Sequence, residues 1–474
     1  MNSHTDFTTL TTSLSQNIST LYSTFKHTPD LIVRYFQIKN NNQSAALVYL
    51  ESLCNVELLS NQVLKPLLSY TWSIKEIDSI IPLPFLTGLN KWDEIIQAIL
   101  HGKSILLIND QDTCIIFDVV DIKQRSIEEP SAEKAIKGAH QGFIESASDN
   151  ISLIRQYIPT SKLCINEISV GNFIQNQVSI LYLEDIASFE VLKRLEKRIR
   201  NIHVRDRFST GELQELIEDY AFSPFPQCIL TERPDTAALH ILEGRFVVIV
   251  KNSPHVLIAP VTFICFFQHI DDYNLRILNS NLIRIIRFIS FYMAILLPAI
   301  YISLVSFNYE LIPIELLLTI GKYRANVPFP PLIEALIMEI AFELLREASI
   351  RLPSAVSQTI GIVGAIVIGQ AAVQAGIVSN MMIIIVASTA IASFIVPNND
   401  MSSAIRLIRF PMMLMASLFG IVGIVIGMMT LIAHILSLKS LGLPLAPLQF
   451  SNFRDSLLRF PLWKIKSKNK SNNK

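Results

Sequence analysis

Along the chain, the pattern of apolar and polar positions changes character near residue 287. Before that point, short apolar runs alternate with charged stretches. After it come three runs without a charged side chain, 288–309, 354–399 and 410–438. A helix needs about 20 apolar residues to cross a hydrocarbon core of about 30 Å. Every run meets that length, and the second is long enough to cross twice. The pattern predicts membrane spans at 288–309, about 357–377, about 378–397 and about 410–438. A fifth apolar segment, 329–350, carries Glu334, Glu339, Glu343, Arg346 and Glu347. It either lies at an interface, re-enters or spans within a protein-lined assembly.

The first half has shorter periods. Strands are expected at 31–36, 45–50, 104–108 and 114–119, the last two joined by the turn-forming Asn109-Asp110-Gln111-Asp112. An amphipathic helix is expected at 91–101. Further on, 151–157 and 189–200 read as helices. The stretches 162–170, 177–183, 239–242, 245–250 and 255–258 read as strands, with a Glu243-Gly244 turn between the third and fourth. The expected fold is therefore α+β: a cytoplasmic region of two small α/β subdomains, then an α-helical transmembrane bundle of four to five spans. In residues, this is a flexible leader over 1–30, subdomains at 31–130 and 145–280 divided by a polar stretch with Pro130, a transmembrane domain at 285–438 and a basic tail at 439–474.

Charge refines the orientation. Lys plus Arg and Asp plus Glu balance at 40 each, so no basic field points to nucleic acid. Arg276, Arg284 and Arg287 precede the first span, and Arg454, Arg459 and five lysines from Lys464 to Lys474 follow the last against Asp455 alone. Basic residues beside spans favour the cytoplasmic side. Both ends are thus expected there, which requires an even number of crossings. The basic tail is expected to meet anionic lipid. Five widely spaced cysteines include no CxxC pair, which excludes a disulfide framework and a zinc site and fits a reducing compartment. The first thirty residues lack an apolar signal core, so the soluble half is expected to stay cytoplasmic.

Candidate chemistry is sparse. No phosphate-binding glycine loop, HExxH or GxSxG occurs, and no catalytic group, metal site or cofactor is expected. At 100° per residue, Glu339, Glu343, Arg346 and Glu347 share one stripe of a helix. Unpaired carboxylates in hydrocarbon are costly, so the stripe faces headgroups, a water-filled path or counter-charges. The next apolar segment places Gln358, Gly361, Ala365, Gly369, Ala372 and Gly376 on one face. Such a face serves either close helix packing or a pore wall with Ile362 as an apolar constriction. In Thr231-Glu232-Arg233-Pro234-Asp235, opposite charges beside a rigid proline predict a charge-paired structural turn.

The chain resembles the A subunits of GerA-type nutrient germinant receptors of endospore-forming bacteria. The residues carrying the resemblance are Ser223-Pro224-Phe225-Pro226-Gln227, Thr231 to Asp235, Leu242-Glu243-Gly244-Arg245, Ser253-Pro254, Asp272-Tyr273 and Leu297-Pro298, followed by VPFPPLIEALIMEIAFELLREASIRLP at 327–353 and VIGQAAVQAGIVS at 367–379. The resemblance implies a multi-pass protein of the spore inner membrane that is not an enzyme. It also implies a transporter-like B subunit and a lipoprotein C subunit as partners, and a ring of A subunits that forms or gates an ion channel. The alternative is a non-conducting, signal-transducing scaffold in the same complex.

Overall fold

The computed structural model describes residues 9–39, 43–70, 77–120, 133, 137–171, 173–204, 206–353, 364, 367–446 and 458–461. Most of the polar stretch around Pro130 and most of the basic tail lie outside the described residues. The chain forms two compact units, 1–218 with 230–260, and 219–229 with 261–474.

The first unit holds two five-stranded sheets. Strands β1 (Leu31–Gln37), β2 (Ser44–Leu50), β3 (Phe85–Leu89), β4 (Ser104–Ile108) and β5 (Cys114–Phe117) pair antiparallel in the order β1-β2-β4-β5-β3. The inner strands are apolar at nearly every position because both faces are covered, and alternate residues point to opposite faces. Ala46, Val48, Ile105 and Leu107 meet Leu14, Ile18 and Leu21 of helix α1 (Leu14–Thr24) and Trp92, Ile95 and Ile99 of α2 (Trp92–Leu100). Ala45, Leu47, Leu106 and Ile108 meet Leu59, Val63 and Leu67 from the helical stretch 56–69. The leader is helical over α1, where its apolar residues recur every three or four positions and dock as one stripe.

The second sheet runs β6-β7-β9-β10-β8, from β6 (Leu163–Val170), β7 (Asn176–Leu183), β8 (Ile229–Thr231), β9 (Phe246–Val250) and β10 (Val256–Ala259). With it go α3 (Ala147–Tyr157), α4 (Phe189–Arg200), α5 (Thr210–Ile217) and α6 (Pro234–Leu242). The strand expected at 239–242 is instead the last turn of α6. Pro234 occupies the first turn, where its fixed φ suits a helix and its missing N–H costs nothing. The helix stops at Gly244, whose φ of +86° suits only glycine, and a Cβ there would sit 2.8 Å from Ile186.

The second unit is helical: α7 (Ile277–Ser306), α8 (Ile314–Arg324), α9 (Pro331–Arg351), a helical stretch at 367–374, α10 (Asn380–Ile395) and α11 (Asn399–Ser437). The single helix expected at 410–438 is not formed. Gly420 has φ +61° and ψ −139°, far from helical values, and the chain reverses there. A Cβ on Gly427 would lie 2.5 Å from the Met412 sulfur, whereas 15 residues of straight helix would separate the two by about 22 Å. Arms 399–419 and 421–437 thus run antiparallel.

Contacts order the passes. Gly420 abuts Phe307 and Asn308 beyond the end of α7, while Leu445, after the second arm, accepts a backbone bond from Phe263 ahead of α7. Helix α9 enters beside the end of α7, where Tyr301 faces Glu334 and Ser379. Gly364 abuts Leu345, and Gly376 abuts the Asn326 carbonyl, so the helical stretch at 367–374 runs back along α9. Helix α10 returns from Ser379 to Ser393, which accepts from Ser402 at the start of α11. Among the described residues, α7, α9, the stretch at 367–374, α10 and the two arms of α11 therefore alternate in direction. By length and composition α7 and α11 qualify to cross a membrane, and α10 is a shorter apolar helix.

Candidate functional site

Helix α9 begins after Pro330 with Pro331 in its first turn and ends before Leu352-Pro353, since a residue preceding proline disfavours the helical region. Its carboxylates fall at Glu334, Glu339, Glu343 and Glu347, roughly one turn apart. Each meets an arginine. Glu334, fully buried, lies 3.2 Å from Arg324 and accepts from the Ser379 backbone N–H at 3.0 Å. Glu339, also buried, receives Arg409 Nη1 at 2.5 Å and the Thr389 hydroxyl at 3.4 Å. Glu343 pairs with Arg346 at 2.8 Å and Arg406 at 3.3 Å. Glu347 pairs with Arg351 at 2.6 Å on an exposed surface.

Arg406 and Arg409 sit three residues apart on the first arm of α11, opposite two carboxylates four apart on α9, in antiparallel register. Arg409 is the hub. Besides Glu339, its Nε donates to the Ala294 carbonyl of α7 at 2.7 Å, and its Nη2 reaches the Thr389 carbonyl of α10 at 3.5 Å. One guanidinium, 2% exposed, therefore joins four helices through the fork of donors that makes arginine suited to buried pairs. The stripe read from the sequence divides: Glu339 points inward, Glu343 is half-buried and Glu347 is exposed. The arginines that complete it were missed because they lie in the short charged gap between two apolar runs. Their signal was a spacing of three residues, one helical turn.

Gln358, Ile362 and Ala365 lie outside the described residues. Gly369 is buried and lines an apolar cavity of about 230 Å³ with Met338, Phe342, Ile383, Val386 and Phe394. Among the described residues, no group of three or more His, Cys, Asp or Glu side chains could hold a metal ion.

The corner after β8 is the second charged constellation. Arg233, 2% exposed, caps α6 and binds Asp235 through Nε at 3.1 Å and Nη2 at 2.6 Å. It also donates to the carbonyls of Glu133 at 3.2 Å and Ala139 at 3.1 Å. Glu232 lies 3.1 Å from His255, and its carbonyl accepts from Phe143 at 2.7 Å. Pro234 fixes the backbone between the paired charges. Burial pushes the Glu133 carboxyl up to about 7, against the opposing pull of a hydrogen bond from Thr231. The corner fastens Glu133, Ala139 and Phe143 to the second sheet.

The chain is similar to known proteins along nearly its whole length. The family model described as Bacillus/Clostridium GerA spore germination protein matches residues 19–471. Spore germination protein KA of Bacillus subtilis (strain 168) is 38% identical over 462 residues, covering 95% of this chain and 85% of that protein. Spore germination protein A1 of the same organism is 40% identical over 392 residues, 82% of this chain and 80% of that protein. The crystal structure of the N-terminal domain of the A subunit of the Bacillus megaterium spore germinant receptor GerK3 aligns with a TM-score of 0.42 at 24% identity, over 54% of this chain and 97% of that one. The match of the family model over nearly the whole length, with relatives at this identity and coverage, places the chain in the GerA family of spore germination proteins.

Proposed function

We propose that this chain is the A subunit of a nutrient germinant receptor in the spore inner membrane. Copies assemble as a ring, and the ring forms or gates an ion path whose opening starts germination. The observation that carries the reading is the ladder of charge pairs inside an apolar helical bundle. Burying ions costs several kcal/mol each unless they are paired or reach water. A bundle that holds Glu339 and Glu343 against Arg409 and Arg406 of a neighbouring helical arm is built to handle charge at depth.

On this reading the six alternating helical segments are crossings, an even number with both chain ends on one side, and the basic residues around Arg276 and in the lysine-rich tail favour the cytoplasm for that side. The tail meets anionic lipid, and a transporter-like B subunit and a lipoprotein C subunit complete the receptor. Within the ring, Glu343 and Glu347 lie toward the path. The face of Gln358, Ala365 and Gly369 lines it, and Ile362 closes it by excluding water. Glu339 has a different part: with Arg409 on it, it fixes α9 in the bundle. The test is ion release from the assembled complex. Glu343→Gln with Glu347→Gln slows cation flow, and Ile362→Ser gives unprompted release; normal behaviour of both variants would sink the ion-path reading.

A second reading is a non-conducting scaffold that transmits the signal. It is favoured by one observation: every carboxylate of α9 already has an arginine partner, as a packing device requires. Purified chain that stays monomeric, in a complex whose whole conductance persists without it, would select this reading.

A further inference from the structure

The segment Ser223-Pro224-Phe225-Pro226-Gln227 is among the residues that carry the family resemblance, and neither the charge ladder nor the Arg233 corner uses it. Its structure is that of a mount. Gln227 is fully buried, and its side chain clamps the preceding loop: Oε1 accepts from the backbone N–H of Asp219 and of Tyr220, both at 3.0 Å, and Nε2 donates to the Tyr220 carbonyl at 2.7 Å. The Gln227 carbonyl accepts from Ser440 at 2.6 Å, and the Asp219 carboxylate accepts from Gly442 N–H at 2.9 Å. Ser223 Oγ pairs with His434 Nε2 at 2.9 Å, while the Phe225 ring packs against His434 and Phe263 at 6.2 and 5.9 Å. Prolines on both sides of Phe225 stiffen the backbone.

What this mount holds out is Phe222, 106% exposed, next to Tyr220 at 44%. Leaving a phenylalanine in water forfeits about 2 kcal/mol of burial, and a locked loop cannot tuck it away. Its surroundings identify the medium. His434 lies one turn from the end of the second α11 arm. That arm exposes Val425, Met429, Ile432 and Leu436, spaced four, three and four apart on one face. Exposed Lys439 follows immediately. An apolar face, an exposed aromatic ring on a loop clamped to its last turns and a lysine just beyond them make the arrangement found where a spanning helix leaves the acyl chains for the headgroups.

We propose that Tyr220 and Phe222 form an interfacial anchor, seated in the headgroup–acyl boundary of the bilayer and clamped to the last helical arm through Ser223 and His434. The proposal rests on the membrane reading of the helical unit. The occupant is lipid and not a second protein, because the loop is clamped to the end of an arm whose exposed face is apolar and which a lysine follows. The anchor fixes the height at which the last arm leaves the bilayer.

The five native cysteines are buried, so a nitroxide can be placed selectively by Phe222→Cys in the full chain reconstituted in phosphatidylcholine–phosphatidylglycerol vesicles. Phe173→Cys, exposed in the first unit at 83%, and Met429→Cys on the arm serve as references. The expected label at 222 is more accessible to oxygen than to a water-soluble nickel chelate, at a depth of about 5–10 Å below the phosphates. The label at 173 favours the chelate and the one at 429 lies deeper. If 429 reports lipid while 222 behaves like 173, the anchor is wrong and the membrane reading stands. If 429 also reports water, both fall. A label at 222 shielded from oxygen and chelate alike means that protein covers the loop, which also overturns the proposal.

Discussion

The Arg233–Asp235 pair of the first unit and the Arg409–Glu339 pair of the helical unit are built alike: each joins a 2% exposed guanidinium to a carboxylate. Their settings differ. Arg233 reaches Asp235 two positions away and the carbonyls of Glu133 and Ala139, 100 and 94 residues earlier, so it closes a corner against a sheet whose own apolar core includes Val247 and Ile249. Arg409 reaches α7, α9 and α10 across 115, 70 and 20 residues of sequence. On the proposed membrane reading, a bundle whose outer faces carry Ile384, Leu407, Leu418 and Met429 in exposed positions gains little specificity from apolar burial between helices, and polar contacts select the arrangement. Both guanidiniums thus make tertiary contacts: the first fastens one segment to a sheet that has an apolar core of its own, and the second ties four helices to one another.

Breaking each device separates the two roles. The largest loss is expected at Gly420→Val, because φ +61° with ψ −139° is open to glycine alone and a Cβ would meet Phe307 at 3.1 Å. The hairpin of α11 then fails and no folded membrane-extracted protein is recovered. Arg233→Ala comes next: it leaves Asp235 and two carbonyls without their donor, a loss of about 1–3 kcal/mol. Thermal unfolding of the full chain should shift downward with the helical unit still intact, and an unshifted transition would remove the corner's structural role.

The smallest effect is one of pH. The Glu133 carboxyl sits at about 7 when folded, above its ordinary value of 4.5. Between those values the folded chain holds a proton that the unfolded chain has released, so this group's contribution to stability falls as pH rises from about 4.5 to 7. Glu133→Gln should flatten that slope. A slope unchanged by the substitution would mean that Glu133 is ionised in the folded corner.

Much of the first unit was legible because its signals are local. The hairpin of β4 and β5 announces itself by two apolar runs around Asn109–Asp112, and α4 by its basic outer face. The misread stretch, 239–242, is short and apolar enough to suit either period, although Pro234 eight residues before Leu242 marks the start of a helix. In the helical unit the sequence hides more. Gly420 lies in an uninterrupted apolar run, where a glycine reads as a packing residue and not as a reversal. The acidic stripe of α9 was visible from its own spacing, but which face turned inward depended on Arg406 and Arg409, whose sequence distance from it exceeds anything a helical period can report.

The Arg409–Glu339 pair is measured most directly by charge exchange in the assembled receptor. Removing one member of a buried pair costs about 3–5 kcal/mol because an uncompensated charge remains. Glu339→Arg alone and Arg409→Glu alone should each abolish accumulation of the complex, while the two together restore at least part of it and of germinant-triggered ion release. Full accumulation and normal release in either single variant would contradict the account, as would a double variant no better than the worse single one.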